Sequence, residues 1–386
     1  MKKLIRITTV DISLNSLLIG QLRYLSQFYE VVGLASDTGV LDSVGKREGI
    51  RVINIPMQRD ISLLSDIKSL WNMYRTFRKE KPDIIHSNTP KGSLLAMIAG
   101  WATHVPHRIY LVTGLRYQGA SGIKRAILKT MERISCRFAT KIIPEGEGVK
   151  RILTEDGITH KPMKVIHHGN INGKDTSYYS PEATIKAHGS RDSIRKSLGY
   201  SSEDFVFVFV GRVVKDKGMN ELTNCMKRLK KDYPHLRLML VGRIEDKLDP
   251  ILPENINYLQ TDSAVNFLGL QKDVRPYYLA ADALIFPSYR EGFPNVVIEA
   301  GALSLPSLVT DISGCNEIIE DNVNGKIIPP KSEEALYEMM KYFMDNRDAV
   351  REMASRSRKL VQERFEQKDL WEELRKMYES LEDFSK

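Results

Sequence analysis

Short runs of β-branched and apolar residues alternate with longer helical patterns, in two successive series, along the 386-residue chain. Such runs are typical of strands buried in a parallel sheet, because both faces of these strands are covered. In the first series the predicted strands are Leu4–Val10, Glu30–Ala35, Val52–Ile55, Asp83–His86, Arg108–Val112, Lys141–Pro144 and Lys164–Ile166. In the second series they are Phe205–Val210, Leu238–Val241, Val265–Leu268, Ala283–Phe286 and Ser307–Val309. This alternation predicts doubly wound α/β sheets with ligands at the carboxyl ends of the strands.

Helical patterns lie between these strands, and a linker divides the two series. The predicted helices are Leu17–Gln27, Ile61–Lys79, Gly92–Ala102, Gly122–Phe138, Met219–Tyr233, Pro294–Ala302 and Glu333–Asp345. Residues 167–190 are rich in His, Gly, Asn, Ser and Pro, which indicates a linker. The length also exceeds what one hydrophobic core usually supports. We therefore expect two Rossmann-like domains facing a central cleft, at residues 1–170 and 185–365, with a terminal helix of about 366–386 that packs back on the first domain.

The three cysteines indicate the compartment of the protein. Cys136, Cys225 and Cys315 are too far apart in sequence to suggest a disulfide framework or a zinc knuckle, and this usage suits a reducing compartment. No run approaches the roughly 18 apolar residues that a membrane-spanning helix needs. We expect a cytoplasmic protein that lies, at most, on the inner surface of a membrane.

Positive charge is concentrated in the first half of the chain. Residues 1–180 hold 27 Lys and Arg against 15 Asp and Glu, whereas the remainder holds 30 against 34. This asymmetry indicates an anionic partner for the first half, and nucleic acid is not expected because no base-reading module is present. In Gly122–Phe138, basic residues recur every four positions beside an apolar face. Such a helix either lies on an anionic membrane surface or simply exposes a basic face to solvent.

The first candidate ligand-binding motif is Gly211–Gly218, directly after the predicted strand Phe205–Val210. Gly211 permits a tight turn, and Arg212 and Lys217 place two cations at the mouth of the sheet where a helix begins. A diphosphate is favoured there by guanidinium and ammonium contacts and by the helix N-terminus. The alternative is a basic turn before a surface helix.

The second motif follows the predicted strand Ala283–Phe286. Pro294 suits the first position of a helix, and the amides of that first turn would then point at a ligand. Glu291 precedes the helix and Glu299 lies about one and a half turns into it. Carboxylates accept hydrogen bonds from hydroxyls, so Glu299 suits the diol of a ribose and Glu291 suits a sugar. Alternatively, Glu299 is a solvated helix residue and Glu291 a turn residue.

These motifs together resemble those of glycosyltransferase family 4, a large family of retaining enzymes with the GT-B fold. They occur in the family's order and spacing over roughly residues 204–330. The matching segments are the glutamates Glu291 and Glu299 separated by seven residues, Arg212 to Lys217, Val241-Gly242, Phe267-Leu268-Gly269 and the turn Gly314 to Glu317. The stretch Asn172-Gly173-Lys174-Asp175 resembles the family's interdomain turn.

The resemblance implies a role for each half. The C-terminal domain binds the nucleotide-diphosphate sugar and the N-terminal domain binds the acceptor, with Arg212, Lys217 and Glu291 in the reaction centre. The residues implied to bind the donor are Gly211, Gly292, Phe293, Pro294, Asn295, Val296 and Glu299. The base is expected near Leu268 and Leu270, which favours UDP. No metal or cofactor is expected, because cations replace a divalent ion and no Asp-X-Asp motif occurs.

The N-terminal half departs from the family pattern. The glycine-rich loop expected after the first strand is replaced by residues 8–14, which contain no glycine, so Ser13 is the candidate to contact the donor. The histidine common after the strand Arg108–Val112 is replaced by Thr113 and Gly114. His86 could reach the cleft instead, although a lone histidine at a strand end is often structural. These departures resemble the subgroup that extends glycans on polyprenyl-diphosphate carriers.

The sequence therefore predicts a retaining transferase of a hexose or N-acetylhexosamine, building a surface or capsular polysaccharide or a lipid-linked glycan. Two alternatives stay open. One is a nucleotide-sugar epimerase or hydrolase on the same scaffold, and the other is a non-catalytic nucleotide-sugar-binding module.

Overall fold

The computed structural model describes residues 1–58, 62–245 and 249–381. It divides into two compact units. The N-terminal unit contains residues from Met1 to Gly173 and the returning segment from Gln367 onward, and the C-terminal unit contains Lys174–Glu366. The chain thus changes unit directly after Gly173, so the linker residues 174–184 belong to the C-terminal unit.

The N-terminal unit is built on a six-stranded parallel sheet of order β3-β2-β1-β4-β5-β6. Strands β1 to β6 are Lys3–Val10, Glu30–Ser36, Arg51–Asn54, Ile84–Ser87, His107–Val112 and Lys141–Pro144. Helices α1 to α7 are Asp11–Leu17, Gln21–Leu25, Leu41–Glu48, Leu63–Glu80, Pro90–Ala102, Gly122–Phe138 and Glu147–Glu155. Apolar side chains from both faces of the sheet form two core clusters beneath these helices.

The C-terminal unit repeats this architecture with the sheet order β12-β11-β10-β7-β8-β9, again parallel. Strands β7 to β12 are Phe205–Val210, Leu236–Val241, Val265–Gly269, Ala283–Phe286, Ser307–Thr310 and Gly325–Ile328. Helices α8 to α16 are Pro181–His188, Arg191–Ser197, Met219–Leu229, Pro253–Thr261, Arg275–Ala280, Asn295–Ala302, Cys315–Ile318, Glu333–Asp345 and Arg347–Phe365. The sequence did not predict β12. The doubly wound α/β class predicted for both halves is confirmed.

The last helix, α17 (Gln367–Glu379), packs on the N-terminal sheet. The hydroxyl of Tyr378 lies 2.9 Å from Nη1 of Arg6 and 2.6 Å from Nδ1 of His86, and all three side chains are buried. Burial, with the positive charge of Arg6, holds the pKa of His86 well below its usual value. The prediction that His86 reaches an open cleft is therefore wrong, because α17 covers it.

Three local predictions in the N-terminal half are also wrong. Lys164–Ile166 is not a strand, since only the neighbouring Met163 forms an isolated bridge. The helix predicted at Leu17–Gln27 is interrupted by Gly20, whose φ of 78° is left-handed. Residues 8–14 do not form a loop, because β1 runs to Val10 and α1 begins at the next residue. The predicted helix start at Ile61 lies outside the described residues.

Helix α1 begins at a buried carboxylate. Asp11 accepts hydrogen bonds from the backbone amides of Thr38 and Val40, at 2.8 and 3.0 Å. Burial acts to raise the pKa of Asp11, but these hydrogen bonds and that of the Thr38 hydroxyl dominate and lower it to about 2. The carboxylate thereby ties the start of α1 to the segment that follows β2.

A second buried carboxyl makes stability depend on pH. Burial raises the pKa of Glu132 on α6 to about 7, although the hydrogen bond from Tyr110, at 2.6 Å, opposes the shift. The folded chain therefore keeps a proton that the unfolded chain loses above about pH 4.5. This contribution to stability is complete below that pH and is lost as the pH rises toward 7.

Between pH 5 and pH 8 we expect the wild type to lose about 2–3 kcal/mol of its free energy of unfolding through Glu132. Glu132→Gln cannot titrate, so this loss should be absent in the variant. Urea denaturation of both proteins at the two pH values measures it. Equal pH dependence of the two proteins would contradict the assignment.

Candidate active site

The candidate active site of the C-terminal unit lies where β7 and β10 are neighbours in the sheet. The chain proceeds from β7 to β8 and β9 on one side and to β10, β11 and β12 on the other. The carboxyl ends of strands at such a reversal form a crevice that commonly binds ligands. The two sequence motifs are the loops that leave β7 and β10 at this point.

Glycines allow these loops to touch. Gly218 has a φ of 71°, and a Cβ there would collide with the carbonyl oxygen of Pro287. The amide of Tyr289 donates to the carbonyl of Asp216 at 2.8 Å, which fixes the β10 loop on the β7 loop. On the other side of β7, a Cβ at Gly242 would collide with the carbonyl of Gly211. Side chains at these positions would therefore separate the loops that carry the candidate residues.

Lys217 and Glu291 form an ion pair across the two loops. Both side chains are mostly buried, and the Ser288 hydroxyl donates to the same Glu291 carboxylate at 2.8 Å. The sequence did not single out Ser288. Glu291 is a loop residue, but its side chain is mostly buried and paired, and the structure places an ammonium and a carboxylate together at the reversal point.

Arg212 lies on the other side of the β7 loop and is half exposed. Its Nη1 lies 2.9 Å from Oε2 of Glu245, and this contact holds the pKa of Glu245 below its usual value. A half-exposed guanidinium still has donors available to an incoming anion. Arg212 and Lys217 therefore supply two cations at the same edge of the sheet.

Helix α13 begins one residue later than predicted. Pro294 is its N-cap, with a φ of −75° and a ψ of 109°, rather than its first helical residue. The amide of Val297 donates to the carbonyl of Pro294 at 3.2 Å, so it does not point at a ligand as predicted. The ring of Phe293 is buried against Phe365, with centroids 5.6 Å apart, so only its backbone can face a donor.

Gly292, Asn295 and Val296 are only partly buried. Gly314 supports this segment, because a Cβ there would come within 2.6 Å of the carbonyl oxygen of Gly292. The turn at Gly314 thus packs directly behind the backbone implied to hold the donor sugar.

Glu299 on α13 is buried, so the alternative of a solvated helix residue is wrong. Its Oε1 lies 2.6 Å from Nζ of Lys174, and its Oε2 accepts from the hydroxyl of Tyr278 at 3.2 Å. Burial, with the charge of Glu299, raises the pKa of Tyr278 well above its usual value. Sequence analysis predicted no role for Tyr278 or Lys174, although Lys174 lies in the motif at residues 172–175.

We expect Lys174→Met to lower the free energy of unfolding by about 1–3 kcal/mol, because it leaves the buried Glu299 carboxylate without its cation. Urea denaturation measures the change. Lys186→Met is the control, since Lys186 is exposed on α8. Equal stability of the two variants would contradict a structural role for the Lys174–Glu299 pair.

The segment implied to contact the base lies at the same edge of the sheet. Leu268 is half-buried at the end of β9 and Leu270 is exposed just beyond it. The amide of Gly242 donates to the carbonyl of Gly269 at 2.8 Å, which joins this segment to the end of β8.

The remaining predicted residues belong to the N-terminal unit. Thr113 and Gly114 follow β5 and are partly exposed, and the Thr113 hydroxyl donates to the carbonyl of Asn88 at 2.9 Å. Ser13 is a partly exposed residue of α1. Both positions lie at the carboxyl edge of their own sheet.

Within residues 1–58, 62–245 and 249–381, no three His, Cys, Asp or Glu side chains are grouped closely enough to hold a metal ion. In the same ranges, no helix combines the length and the apolar character needed to cross a membrane. The absence of a metal requirement stays a prediction.

Comparisons with known proteins show the family of this chain. Residues 190–360 match the family described as glycosyl transferases group 1, and residues 21–169 match a glycosyl transferase 4-like domain. The capsular polysaccharide biosynthesis glycosyltransferase CapM of Staphylococcus aureus is 32% identical over 98% of this chain and 97% of its own length. The chain therefore belongs to the group 1 glycosyl transferases and is a glycosyltransferase.

More distant proteins extend the comparison. The Escherichia coli UDP-Gal:α-D-GlcNAc-diphosphoundecaprenol α-1,3-galactosyltransferase is 27% identical over 73% of this chain and 71% of its own length. The crystal structure of Anabaena HepE in complex with UDP and glucose superposes with a TM-score of 0.80 at 19% identity, covering 99% of this chain and all of HepE. The similarity to HepE concerns the fold, which is GT-B, as the sequence resemblance implied.

Proposed function

We propose that this glycosyltransferase is a retaining, metal-independent enzyme that transfers a hexose or N-acetylhexosamine from a UDP-sugar. The observation that carries the proposal is the meeting of Arg212, Lys217, Glu291 and the start of α13 at the reversal point of the C-terminal sheet. Two cations there suit a diphosphate, and carboxylates suit the hydroxyls of a sugar and a ribose.

The Lys217–Glu291 pair supports specific roles in this reaction. As the bond between the sugar and the diphosphate breaks, negative charge develops on the leaving phosphate. The Lys217 ammonium and the Arg212 guanidinium stabilise that charge, and both are fixed in advance by Glu291 and Glu245. These cations fill the role that a divalent ion has in other transferases. Oε1 of Glu291 accepts from Lys217 and Ser288, and the same carboxylate is proposed to accept hydrogen bonds from the donor sugar through Oε2.

Retention of configuration requires attack on the face from which the diphosphate leaves. The proposed base is the leaving phosphate oxygen, which takes the proton of the acceptor hydroxyl as the new glycosidic bond forms. This route needs no protein nucleophile. Arg212 and Lys217 support it because they hold that oxygen on the reacting face.

Glu299 is proposed to hold the ribose. Its carboxylate is already oriented by Lys174 and Tyr278, and a carboxylate can accept further hydrogen bonds from hydroxyl donors. The segment from Leu268 to Leu270 is proposed to contact the uracil, and Ser13 to contact the donor from the N-terminal unit.

The acceptor is proposed to be a growing glycan or a sugar on a polyprenyl diphosphate, bound by the N-terminal unit near Thr113 and Gly114. Support comes from the activities of the relatives, one in capsular polysaccharide biosynthesis and one acting on a diphosphoundecaprenol-linked sugar. Such an acceptor would bring a cytoplasmic enzyme to the inner face of the membrane. The positive charge of residues 1–180 favours an anionic surface there.

The donor can be identified by measuring the unfolding temperature with each of a panel of UDP- and GDP-sugars, because the sugar nucleotide that binds best raises it most. NMR of the product made with that donor then reports the anomeric configuration, and retention with the metal chelator EDTA present is the expected result. Release of nucleotide without any acceptor would favour an epimerase or hydrolase. Tight donor binding with no turnover across an acceptor panel would favour a non-catalytic binding module.

A further inference from the structure

The C-terminal unit contains a cavity of about 460 Å³ at the edge of its sheet opposite the candidate active site. Its walls include Phe205 at the start of β7, Asp282 just before β10 and Pro306 just before β11. These strands are neighbours in the sheet, and the loops that leave the carboxyl ends of β7 and β10 carry the candidate catalytic residues. Ligands of doubly wound sheets usually bind at the carboxyl edge. This cavity, at the amino edge, is therefore separate from the candidate active site.

Positive charge predominates in the lining of the cavity. Within the described residues, the arginines that line it are Arg191 and Arg195 of α9 and Arg347 and Arg351 of α16. The acidic side chains of the same lining are Asp192 and Asp282, so four arginines against two aspartates leave a net charge of +2 among the residues that the structure describes. A polar cavity with an excess of positive charge suits an anionic ligand.

The deeper part of the lining is structural. Asp282 accepts from Nη2 of Arg191 at 2.6 Å and from the amide of Val206 at 2.8 Å. Its Oδ2 also lies 3.2 Å from Nη1 of Arg195, which is buried and donates to backbone carbonyls as well. These contacts tie α9 to the starts of β7 and β10, and they neutralise part of the arginine charge.

Arg347 has no carboxylate partner within the described residues. Its Nη2 donates to the carbonyl of Glu203 at 2.8 Å, and its guanidinium lies 5.6 Å from the ring centroid of Phe205. In the same part of the chain, its Nε and Nη1 and the Nη1 of Arg191 form no hydrogen bond. Arg191 and Arg347 are also the first residues of their helices, where the helix dipole disfavours a cation. A bound anion would accept from these donors and offset that cost.

Serine hydroxyls add neutral donors to the cavity. Ser202 lies shortly before β7, and Ser304 lies just beyond the end of α13. Neither hydroxyl forms a hydrogen bond within residues 1–58, 62–245 and 249–381. A phosphate monoester presents three strong acceptor oxygens, whereas a carboxylate presents two. The combination of guanidinium and hydroxyl donors therefore favours a phosphate group.

The rest of the cavity suits a sugar better than a nucleobase. Its volume lies in the range of small-molecule sites, roughly 300–1,000 Å³, so a phosphate ion alone would leave most of it empty. The rings of Tyr200 and Phe205 are buried and face the guanidinium groups of Arg195 and Arg347, so they offer little surface for a base to stack on. Asp192 is exposed and has no ion pair within the described residues, so its carboxylate can accept from sugar hydroxyls.

We propose that this cavity is a second ligand site, which binds a small phosphorylated sugar. The phosphate contacts Arg347, the Nη1 of Arg191 and the hydroxyls of Ser202 and Ser304, and the sugar hydroxyls contact Asp192. The inference goes beyond the proposed function, because this site uses neither of the cations assigned to the leaving diphosphate.

Calorimetric titration of the full chain with glucose 1-phosphate, glucose 6-phosphate and N-acetylglucosamine 1-phosphate tests the proposal, with inorganic phosphate for comparison. We expect at least one sugar phosphate to bind more tightly than inorganic phosphate, because the cavity leaves room for the sugar. Arg347→Gln should raise its dissociation constant about tenfold or more, the scale of losing hydrogen bonds from a charged group. Ser202→Ala, a milder change, should raise it about threefold. Circular dichroism of each variant checks that the fold is retained.

Matched controls separate the cavity from other cations of the chain. Arg356→Gln makes the same change at an exposed residue of α16 outside the cavity, and it should leave the dissociation constant unchanged. The double variant Arg212→Ala with Lys217→Ala removes the cations of the candidate active site and should still bind the sugar phosphate. A crystal structure of the complex should show the phosphate within hydrogen-bonding distance of Arg347.

Three results would overturn the proposal. One is that no sugar phosphate binds more tightly than inorganic phosphate. Another is an equal loss of binding in Arg347→Gln and Arg356→Gln. The third is loss of binding in the double variant of Arg212 and Lys217, which would place the ligand in the candidate active site. None of these measurements uses a donor, an acceptor or turnover, so this proposal and the proposed function fail independently.

Discussion

Lys217→Ala is expected to lower kcat about 10²-fold or more, the scale of losing one fixed donor to the transition state. The ammonium is held against Glu291 at the reversal point of the sheet, so it is already in place when charge develops on the leaving diphosphate. Because the charge grows during the reaction, the loss should appear in kcat more than in KM. Steady-state kinetics with saturating acceptor measure both.

Lys215→Ala is the matched control, because Lys215 lies in the same turn but is exposed. We expect it to keep near-wild-type kcat. Glu291→Gln tests Glu291, the ion-pair partner of Lys217, separately, since this change keeps the size of the side chain and removes its charge. A Lys217→Ala enzyme with nearly full kcat would remove Lys217 from the reaction centre.

Glu299→Ala is expected to weaken the binding of UDP about 10²-fold or more, and so to abolish the protection that UDP alone gives against heat. Two hydroxyl donors to a charged acceptor are lost, each worth about 1.5–3 kcal/mol. The nucleotide lacks the sugar, so the effect isolates the ribose. Calorimetric titration with UDP gives the affinity directly.

The substitution also leaves Lys174 without its carboxylate, so stability must be separated from binding. Glu299→Gln retains an acceptor for Tyr278 and serves as the milder variant. The combination of Glu299→Gln with Lys174→Met removes both charges together and should unfold at a temperature nearer the wild type than Glu299→Ala. If this combination still bound UDP with wild-type affinity, Glu299 would not hold the ribose.

The strands of both sheets were predictable because their signal is local. Phe205–Val210, Ala283–Phe286 and Lys141–Pro144 are strands with the predicted bounds, since a buried parallel strand is apolar on both faces. The position of the two motifs at the carboxyl ends of β7 and β10 was predictable as well, whereas the pairing of these two strands is seen only in the structure. Gly218 and Gly314 belong to the predicted motifs, and the structure shows why glycine is present: a side chain at either position would collide with the opposing loop.

What was missed at His86 and Lys174 comes from contacts between residues far apart in the chain. His86 follows the pattern of a residue at a strand end, but its surroundings are set by Tyr378, 292 residues later. Lys174 and Glu299 are 125 residues apart, so the sequence around either residue does not indicate their ion pair.

A crystal structure of the chain with bound UDP tests the central claim most directly. We expect the diphosphate to lie within hydrogen-bonding distance of Arg212 and Lys217, and the ribose hydroxyls to contact Glu299. The cavity of about 460 Å³ at the opposite edge of the same sheet, lined by Arg191 and Arg347 among others, is the natural competitor for an anion. UDP bound there, or anywhere away from Arg212, Lys217 and Glu299, would contradict the account.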